Sequence, residues 1–293
     1  MRAFGLPPVP LAPSSHYPTR PSTLRRRINY PAQTSLDESE YKHLSQTSRD
    51  NRGPRRAAGN NRGGPRSRKA GGAGKPRNRS ANAEPLQPVL DVPPIETFSE
   101  WDLGPEVQAA IAGMGIVKPT PIQALTIGPV LEGKDAIAKA ETGTGKTLAF
   151  GAPMIAKVDA GRTTVLGLVL SPTRELSEQV HEVLKELGAA RGIKTALIVG
   201  GEPMRPQVLA LQNGAQVVVG TPGRVLDLMN QGFLSFPWTE FAVLDEADKM
   251  LEIGFIDDIA KILAACNEDR QTLLFSATFP PPLLKLARAY TKD

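Results

Sequence analysis

Residues 140–147 read A-E-T-G-T-G-K-T, and this stretch holds the residue types best suited to gripping a triphosphate. Lys146 offers a full positive charge to β- and γ-phosphates, and the Thr147 hydroxyl can hold Mg²⁺. Gly143 and Gly145 let the backbone curl so that N–H groups converge on one point, and Glu141, Thr142 and Thr144 complete the loop. The common pattern G-x-x-x-x-G-K-[ST] is met except at its first position, which is Ala140 here. An ordinary strand-to-helix turn that happens to contain Gly-Lys-Thr is the competing reading, and only the residues downstream can decide against it.

The second chemical signal is F-A-V-L-D-E-A-D at 241–248, an apolar run ending in three carboxylates. An Asp at the tip of a buried strand beside a phosphate loop is the expected partner of nucleotide-bound Mg²⁺, a role that falls to Asp245. Glu246 can orient and deprotonate an attacking water. Asp248 is placed to pair with a polar group of a neighbouring loop. Acids that merely favour a helix N-terminus would look similar taken alone.

To bring these residues together the chain must fold as alternating strands and helices. Short Val/Ile/Leu-rich runs predict strands at 135–140, 164–171, 194–199, 216–220, 241–244 and 272–276. Helical stretches are predicted at 147–158, 174–188, 205–213, 224–230, 256–265 and 281–290. Strands that are apolar almost throughout, separated by helices, imply an α/β fold with a parallel sheet covered on both faces. Right-handed crossovers then bring every strand's C-terminal end to one edge, where ligands bind. Pro172-Thr173-Arg174 and Thr221-Pro222-Gly223-Arg224 each fall at such a strand end and open a helix. There, backbone N–H groups, a hydroxyl and a guanidinium suit the phosphates of a nucleic-acid strand, with nothing that reads base edges.

Charge divides the chain. Residues 1–96 carry 17 Lys and Arg against 7 Asp and Glu, while residues 97–293 carry 18 against 23. The first segment, rich in Pro, Ser, Arg, Asn and Gly, has too few apolar residues to offset its ordering entropy and is expected to be a disordered basic arm. Its Arg/Gly/Asn run at 51–79 suits sequence-independent contact with single-stranded RNA, although a plain solvated linker has the same composition. The first 36 residues lack Asp and Glu but hold five arginines, which resembles an organelle transit peptide. Mitochondrial import is therefore the expected destination, with a nuclear, nucleolar or cytoplasmic location as the alternative, since seven prolines from Pro7 to Pro31 would interrupt an amphipathic helix. The single cysteine, Cys266, excludes an internal disulfide. No apolar run has membrane-spanning length, so no membrane partner is expected. His181-Glu182 lacks the second histidine of a zinc helix and reads as a solvated face.

Taken in order, these motifs resemble the first half of a DEAD-box RNA helicase across residues 98–293. G-I-V-K-P-T-P-I-Q at 115–123, with Phe98 upstream, is similar to the family's adenine-reading motif. The resemblance implies that the Gln123 amide pairs with adenine and that Phe98 stacks on its ring. Residues 140–147 match the phosphate loop and 245–248 the hydrolysis motif. P-T-R-E-L at 172–176, Gly200-Gly201 and residues 221–224 match the family's RNA-backbone contacts. Ser276-Ala277-Thr278 matches the motif that couples hydrolysis to strand separation.

The resemblance implies a RecA-like domain over 97–293, ATP and Mg²⁺ as cofactors, RNA as partner, and RNA-dependent ATP hydrolysis that remodels RNA duplexes or ribonucleoproteins. The family most often has Gln where this chain has Glu141. The family's second RecA-like domain, which brings arginine fingers and the other half of the RNA clamp, does not follow within 293 residues. The chain is thus expected to be truncated and to turn ATP over near background by itself. A non-catalytic ATP- and RNA-binding assembly protein is the alternative.

Overall fold

The computed structural model describes residues 92 and 94–292. The expectations for the arm before them, its lack of order, its RNA contacts and its targeting role, lie outside the described residues. A 3₁₀ turn at Phe98–Glu100 leads into α1 (Pro105–Gly113) and α2 (Pro121–Leu131). Strands and helices then alternate: β1 (Ala136–Lys139), α3 (Lys146–Lys157), β2 (Gly167–Leu170), α4 (Arg174–Ala189), β3 (Thr195–Ile198), α5 (Met204–Gln212), β4 (Val217–Gly220) and α6 (Pro222–Asn230). After β5 (Phe241–Leu244) come α7 (Ala247–Ile253) and α8 (Ile256–Ala265), then β6 (Gln271–Ser276) and α9 (Pro281–Tyr290).

The six strands form one sheet in the order β1-β6-β5-β2-β4-β3, and every pairing is parallel. Alternation along each strand sorts the core into two layers. Val169, Val217, Val219, Val243, Leu273 and Phe275 face α1 to α4. Leu168, Leu170, Val218, Ala242, Leu244 and Leu274 face α5 to α9. Strands apolar on both faces therefore reflect a sheet with helices on both sides, as the sequence predicts.

The predicted strands are all present: β1 to β4 are shorter than predicted by one to three residues at one or both ends, β5 matches, and β6 begins one residue earlier. Three helices went unread. α2 carries Pro121 at its start and Pro129 within it, yet its entrance is fixed by a capping box in which the Thr120 N–H donates to the Gln123 side chain at 2.9 Å. α1 also begins on a proline, and α7 has only seven residues, too few for a period to show.

Because the strands are parallel, all six of their C-terminal ends lie on one edge. Loop 140–145 follows β1, Ser171-Pro172-Thr173 follows β2, and 199–203 follows β3. Thr221 follows β4, Asp245-Glu246 follows β5, and Ala277-Thr278 follows β6. Sheet order then divides this edge. The phosphate-loop, acidic and Ser-Ala-Thr motifs stand on the adjacent strands β1, β6 and β5, and the three arginine- and glycine-bearing segments on β2, β4 and β3.

Candidate nucleotide and RNA site

The centre of the first half is a buried charge cluster. Lys146 opens α3 and is 6% exposed, and its Nζ lies 3.4 Å from Asp245 Oδ1 and 3.5 Å from Glu246 Oε1. Both acids are buried at the end of β5. The Thr142 hydroxyl donates to Glu246 Oε1, tying the phosphate loop directly to the acidic strand end. On the far side Lys249 Nζ sits 2.6 Å from Glu246 Oε2. Glu246 has φ 53°, the one non-glycine left-handed residue among those described, and it forms the corner between β5 and α7.

Two neighbouring carboxylates differ in acidity for physical reasons. Burial pushes Asp245 upward, and the nearby Lys146 charge opposes this without reversing it. Burial pushes Glu246 upward too, but hydrogen bonds from Lys249 and Thr142, together with the Lys146 charge, outweigh it and hold the group below its ordinary value. Asp245 Oδ1 is buried with no hydrogen-bond partner and faces only the Lys146 ammonium at 3.4 Å, so it becomes open to another cation if Lys146 turns away. Among the described residues no group of three His, Cys, Asp or Glu could hold a metal, so a cation here would need oxygens from a phosphate or water.

Gln123 and Phe98, the residues expected to read adenine, lie against the loop and against Trp101 in an unexpected way. Gln123 is 1% exposed, and its amide donates to the Gly145 carbonyl at 3.0 Å while accepting from Thr120 N–H. The Thr120 hydroxyl donates to the Thr144 carbonyl at 2.9 Å. Gly145 has φ 88°, a left-handed backbone that favours glycine, and a Cβ there would stand 2.5 Å from the Gln123 amide nitrogen and displace it. Both ends of the Gln123 amide are thus engaged with the protein, and reading a base would require sharing or exchanging these bonds. Phe98 is 6% exposed and packs edge-on against Trp101 with ring centroids 5.8 Å apart. A shallow pocket opens beside Thr120, lined by Pro94, Ile95, Lys118, Pro119, Pro121 and Ala124.

The strand ends β5 and β6 are joined by polar contacts. Asp248 Oδ2 accepts from both the Thr278 N–H and the Thr278 hydroxyl at 2.9 Å. The Ser276 hydroxyl accepts from the Asp248 N–H at 3.0 Å and donates to the Thr278 carbonyl at 2.8 Å. Burial would raise the Asp248 carboxyl, but its bonds with Thr278 and Ser276 prevail and lower it. The expected pairing of Asp248 with a neighbouring loop is this contact.

On the other half, Arg174 and Arg224 meet at the loop after β3. The Arg174 guanidinium pairs with the Glu202 carboxylate, and Arg224 Nη1 donates to the Glu202 carbonyl at 3.2 Å. Gly201 lies against Arg174, and Thr173 caps α4 by accepting from Leu176 N–H at 3.2 Å. Thr221, Pro222 and Gly223 form the corner from β4 into α6. Sequence reasoning missed Glu202 and Lys249. Lys249 was legible as a cation one helical turn after Glu246, whereas nothing in the sequence placed Glu202 beside Arg174. The histidine noted earlier is structural: His181 Nε2 lies 3.0 Å from the Thr195 hydroxyl, and burial lowers its pKa against the charge of Glu182.

A six-stranded parallel sheet with a phosphate loop after β1 and paired acids after β5 defines a RecA-like nucleotide-binding domain. Residues 120–286 match the profile of the DEAD/DEAH box helicases, and the chain belongs to that family. It is 47% identical over 197 residues to the DEAD-box ATP-dependent RNA helicase CshA of Geobacillus kaustophilus, an alignment covering 67% of this chain and 42% of that protein. The CshA helicase of Streptococcus pneumoniae is 45% identical over 195 residues, covering 67% and 37%. Among solved structures, a DEAD box protein from Methanococcus jannaschii superposes with a TM-score of 0.65 at 43% identity, covering 68% of this chain and 54% of that one. The chain spans about two fifths of the length of the curated relatives it matches.

Proposed function

We propose that this chain carries the ATP-binding part of a DEAD-box ATP-dependent RNA helicase, whose RNA-dependent ATP hydrolysis remodels RNA duplexes or ribonucleoproteins. The observation that carries the proposal is Lys146 held between Asp245 and Glu246 on one half of the sheet edge, with Arg174 and Arg224 on the adjoining half. ATP phosphates occupy the 140–147 loop, and Lys146 turns from the two acids toward them. Thr147 and Asp245 would hold Mg²⁺, which neutralises phosphate charge, and the buried Asp245 oxygen that faces only Lys146 supports that assignment. Glu246, kept ionised by Lys249 and Thr142, orients and deprotonates the attacking water. The base lies in the pocket beside Thr120, within reach of the Gln123 and Phe98 segments. Pro172, Thr173, Arg174, Gly201 and residues 221–224 bind the RNA backbone without reading sequence. Asp248, Ser276, Ala277 and Thr278 link β5 to β6 and transmit the state of the nucleotide. Mitochondrial import is supported by the acid-free, arginine-bearing first 36 residues.

The test combines binding and turnover. The 293-residue chain is expected to bind Mg-ATP in preference to Mg-GTP, and Gln123→Ala to erase that preference. In a chain that also carries a second RecA-like domain, ATP hydrolysis is expected to rise with RNA and to vanish in Lys146→Ala or Glu246→Gln. Equal affinity for the two nucleotides would remove the adenine assignment, and hydrolysis indifferent to RNA would remove the helicase reading.

A further inference from the structure

The RNA edge already holds an anion. Arg174, at the start of α4, and Arg224, in the first turn of α6, follow different strands yet both bind the residue that follows Gly201. Arg174 pairs with the Glu202 carboxylate, with Glu178 a weaker neighbour at 4.0 Å. Arg224 Nη1 instead donates to the main-chain carbonyl of Glu202 at 3.2 Å and keeps Asp227 at 3.8 Å from its Nε. The approach is close: Gly201 has φ 78°, and a Cβ there would stand 2.5 Å from Arg174 Nη1. The pairing leaves the guanidinium incompletely satisfied, because Arg174 Nε is buried without a hydrogen-bond partner. A guanidinium has five N–H donors in a rigid fork, and a phosphate offers more acceptor oxygens than the single carboxylate oxygen now engaged.

We propose that Glu202 is a resident anion standing in for an RNA phosphate on Arg174, so that RNA binding is an exchange in which a backbone phosphate displaces the Glu202 carboxylate while the Glu202 carbonyl keeps Arg224 in place. This rests on the RNA-edge assignment made above. The side chains of Arg174 and Glu202 are 40% and 49% exposed, so the pair is weak and exchange is easy. Its effects are twofold. The guanidinium is held in its binding orientation before RNA arrives, which reduces the entropy lost on binding. An isolated phosphate must also compete with Glu202, so a strand that engages the neighbouring helix starts at Thr173 and Thr221 has the advantage over a lone anion.

The experiment is fluorescence anisotropy of a labelled single-stranded oligouridylate with the full chain over a series of KCl concentrations. Glu202→Gln keeps shape and hydrogen-bonding capacity but removes the charge. It is expected to tighten binding about two- to five-fold, the size of an exposed ion pair. The salt slope should stay close to the parent's, because the same phosphate is neutralised on Arg174 in both, whereas Arg174→Gln should flatten it by about 0.7, one phosphate's worth for a single strand. Arg174→Gln should weaken binding, and adding Glu202→Gln to it should bring no further gain. A Glu202→Gln variant that binds no tighter than the parent overturns the inference. So does an equal gain with and without Arg174, which would make Glu202 a bulk surface charge. If Arg174→Gln leaves both affinity and salt slope unchanged, the RNA-edge assignment itself fails and the inference falls with it.

Discussion

The two halves of the sheet edge use the same elements, a strand end, a turn and a helix start, but treat charge in opposite ways. Around Lys146, Asp245 and Glu246 the ions are buried, and Lys146 and Glu246 each contact more than one partner across the β1 and β5 strand ends. Around Arg174 and Glu202 the ions are about half exposed, and the pair is open to exchange. A buried ion that loses its partner is left uncompensated, whereas an exposed one is rehydrated. The nucleotide half is thus a preassembled electrostatic unit. The half that carries Arg174 and Arg224 is a surface on which partners can be swapped at little cost to the fold.

Removing Lys146 is the hardest blow to this contrast. Lys146→Met is expected to abolish Mg-ATP binding and to destabilise the domain by about 3–5 kcal/mol at neutral pH, because Asp245 and Glu246 lose a shared cation. The sign with pH follows from Asp245. Its folded pKa is already raised by burial, with Lys146 the main force restraining it. Without Lys146 it rises further, so the folded variant takes up a proton more readily than the unfolded chain. The penalty relative to the parent should therefore be smaller at pH 5 than at pH 8, and Asp245→Asn should recover part of it. Urea unfolding at both pH values checks this, and a penalty independent of pH would show that the cluster is not the buried unit described.

Gln123 sharpens the comparison by showing that the nucleotide half is held from outside as well. Gln123→Leu keeps bulk but strips partners from the Thr120 N–H and the Gly145 carbonyl. A loss of about 1–3 kcal/mol is expected even with no nucleotide added, the cost of leaving a buried polar group unpaired. A residue used only to read adenine would show no such loss in thermal or urea unfolding.

Asp248 is intermediate, lying on the nucleotide half but near its surface. Asp248→Asn should cost about 1–2 kcal/mol at neutral pH by weakening the two bonds from Thr278. Its folded pKa is depressed by Thr278 and Ser276 despite burial. The contribution is thus present above the unfolded carboxyl value of about 3.9 and lost as pH falls through the folded value. The difference between parent and variant should shrink below about pH 4. A difference that persists there would mean that the charge on Asp248 is not what binds β5 to β6.

The strands and the motifs at their ends were legible because periodicity and turn chemistry are local. A run such as Val217-Val218-Val219 can only be a buried strand here, and Gly-Lys-Thr after a strand can only open a helix. The sheet order was not legible, and it alone divides the edge into two halves. Nor could spacing show that Gln123 would grip the phosphate loop 22 residues away, since this depends on how α2 packs. α2 itself was hidden by Pro121 and Pro129, which count against a helix in isolation but are tolerated once Thr120 and Gln123 form the capping box. Glu202 follows two glycines and carries no pattern. Its meaning arises only when α4 and α6 aim their arginines at the loop after β3.

The smallest stability effect belongs to Glu202, and its smallness is the point. The carboxylate pairs with Arg174 in a setting where both are substantially hydrated, so Coulomb attraction is screened and the ordering of two long side chains offsets most of it. The loop does not depend on the carboxylate for its path. The Glu202 carbonyl is gripped by Arg224, and Gln207 in α5 holds the same turn by accepting from Val199 N–H at 3.1 Å and donating to the Val199 carbonyl at 3.0 Å. Glu202→Gln should therefore change unfolding stability by less than about 0.5 kcal/mol. The change should also fade as salt is raised, in contrast to the Lys146 penalty, which burial shields from salt. Urea unfolding of both variants at about 0.05 and 0.5 M KCl, concentrations on either side of a 10 Å Debye length, makes the comparison direct. A Glu202→Gln penalty as large and as salt-insensitive as that of Lys146→Met would erase the distinction between the halves. It would make the Arg174 half of the edge a second fixed unit.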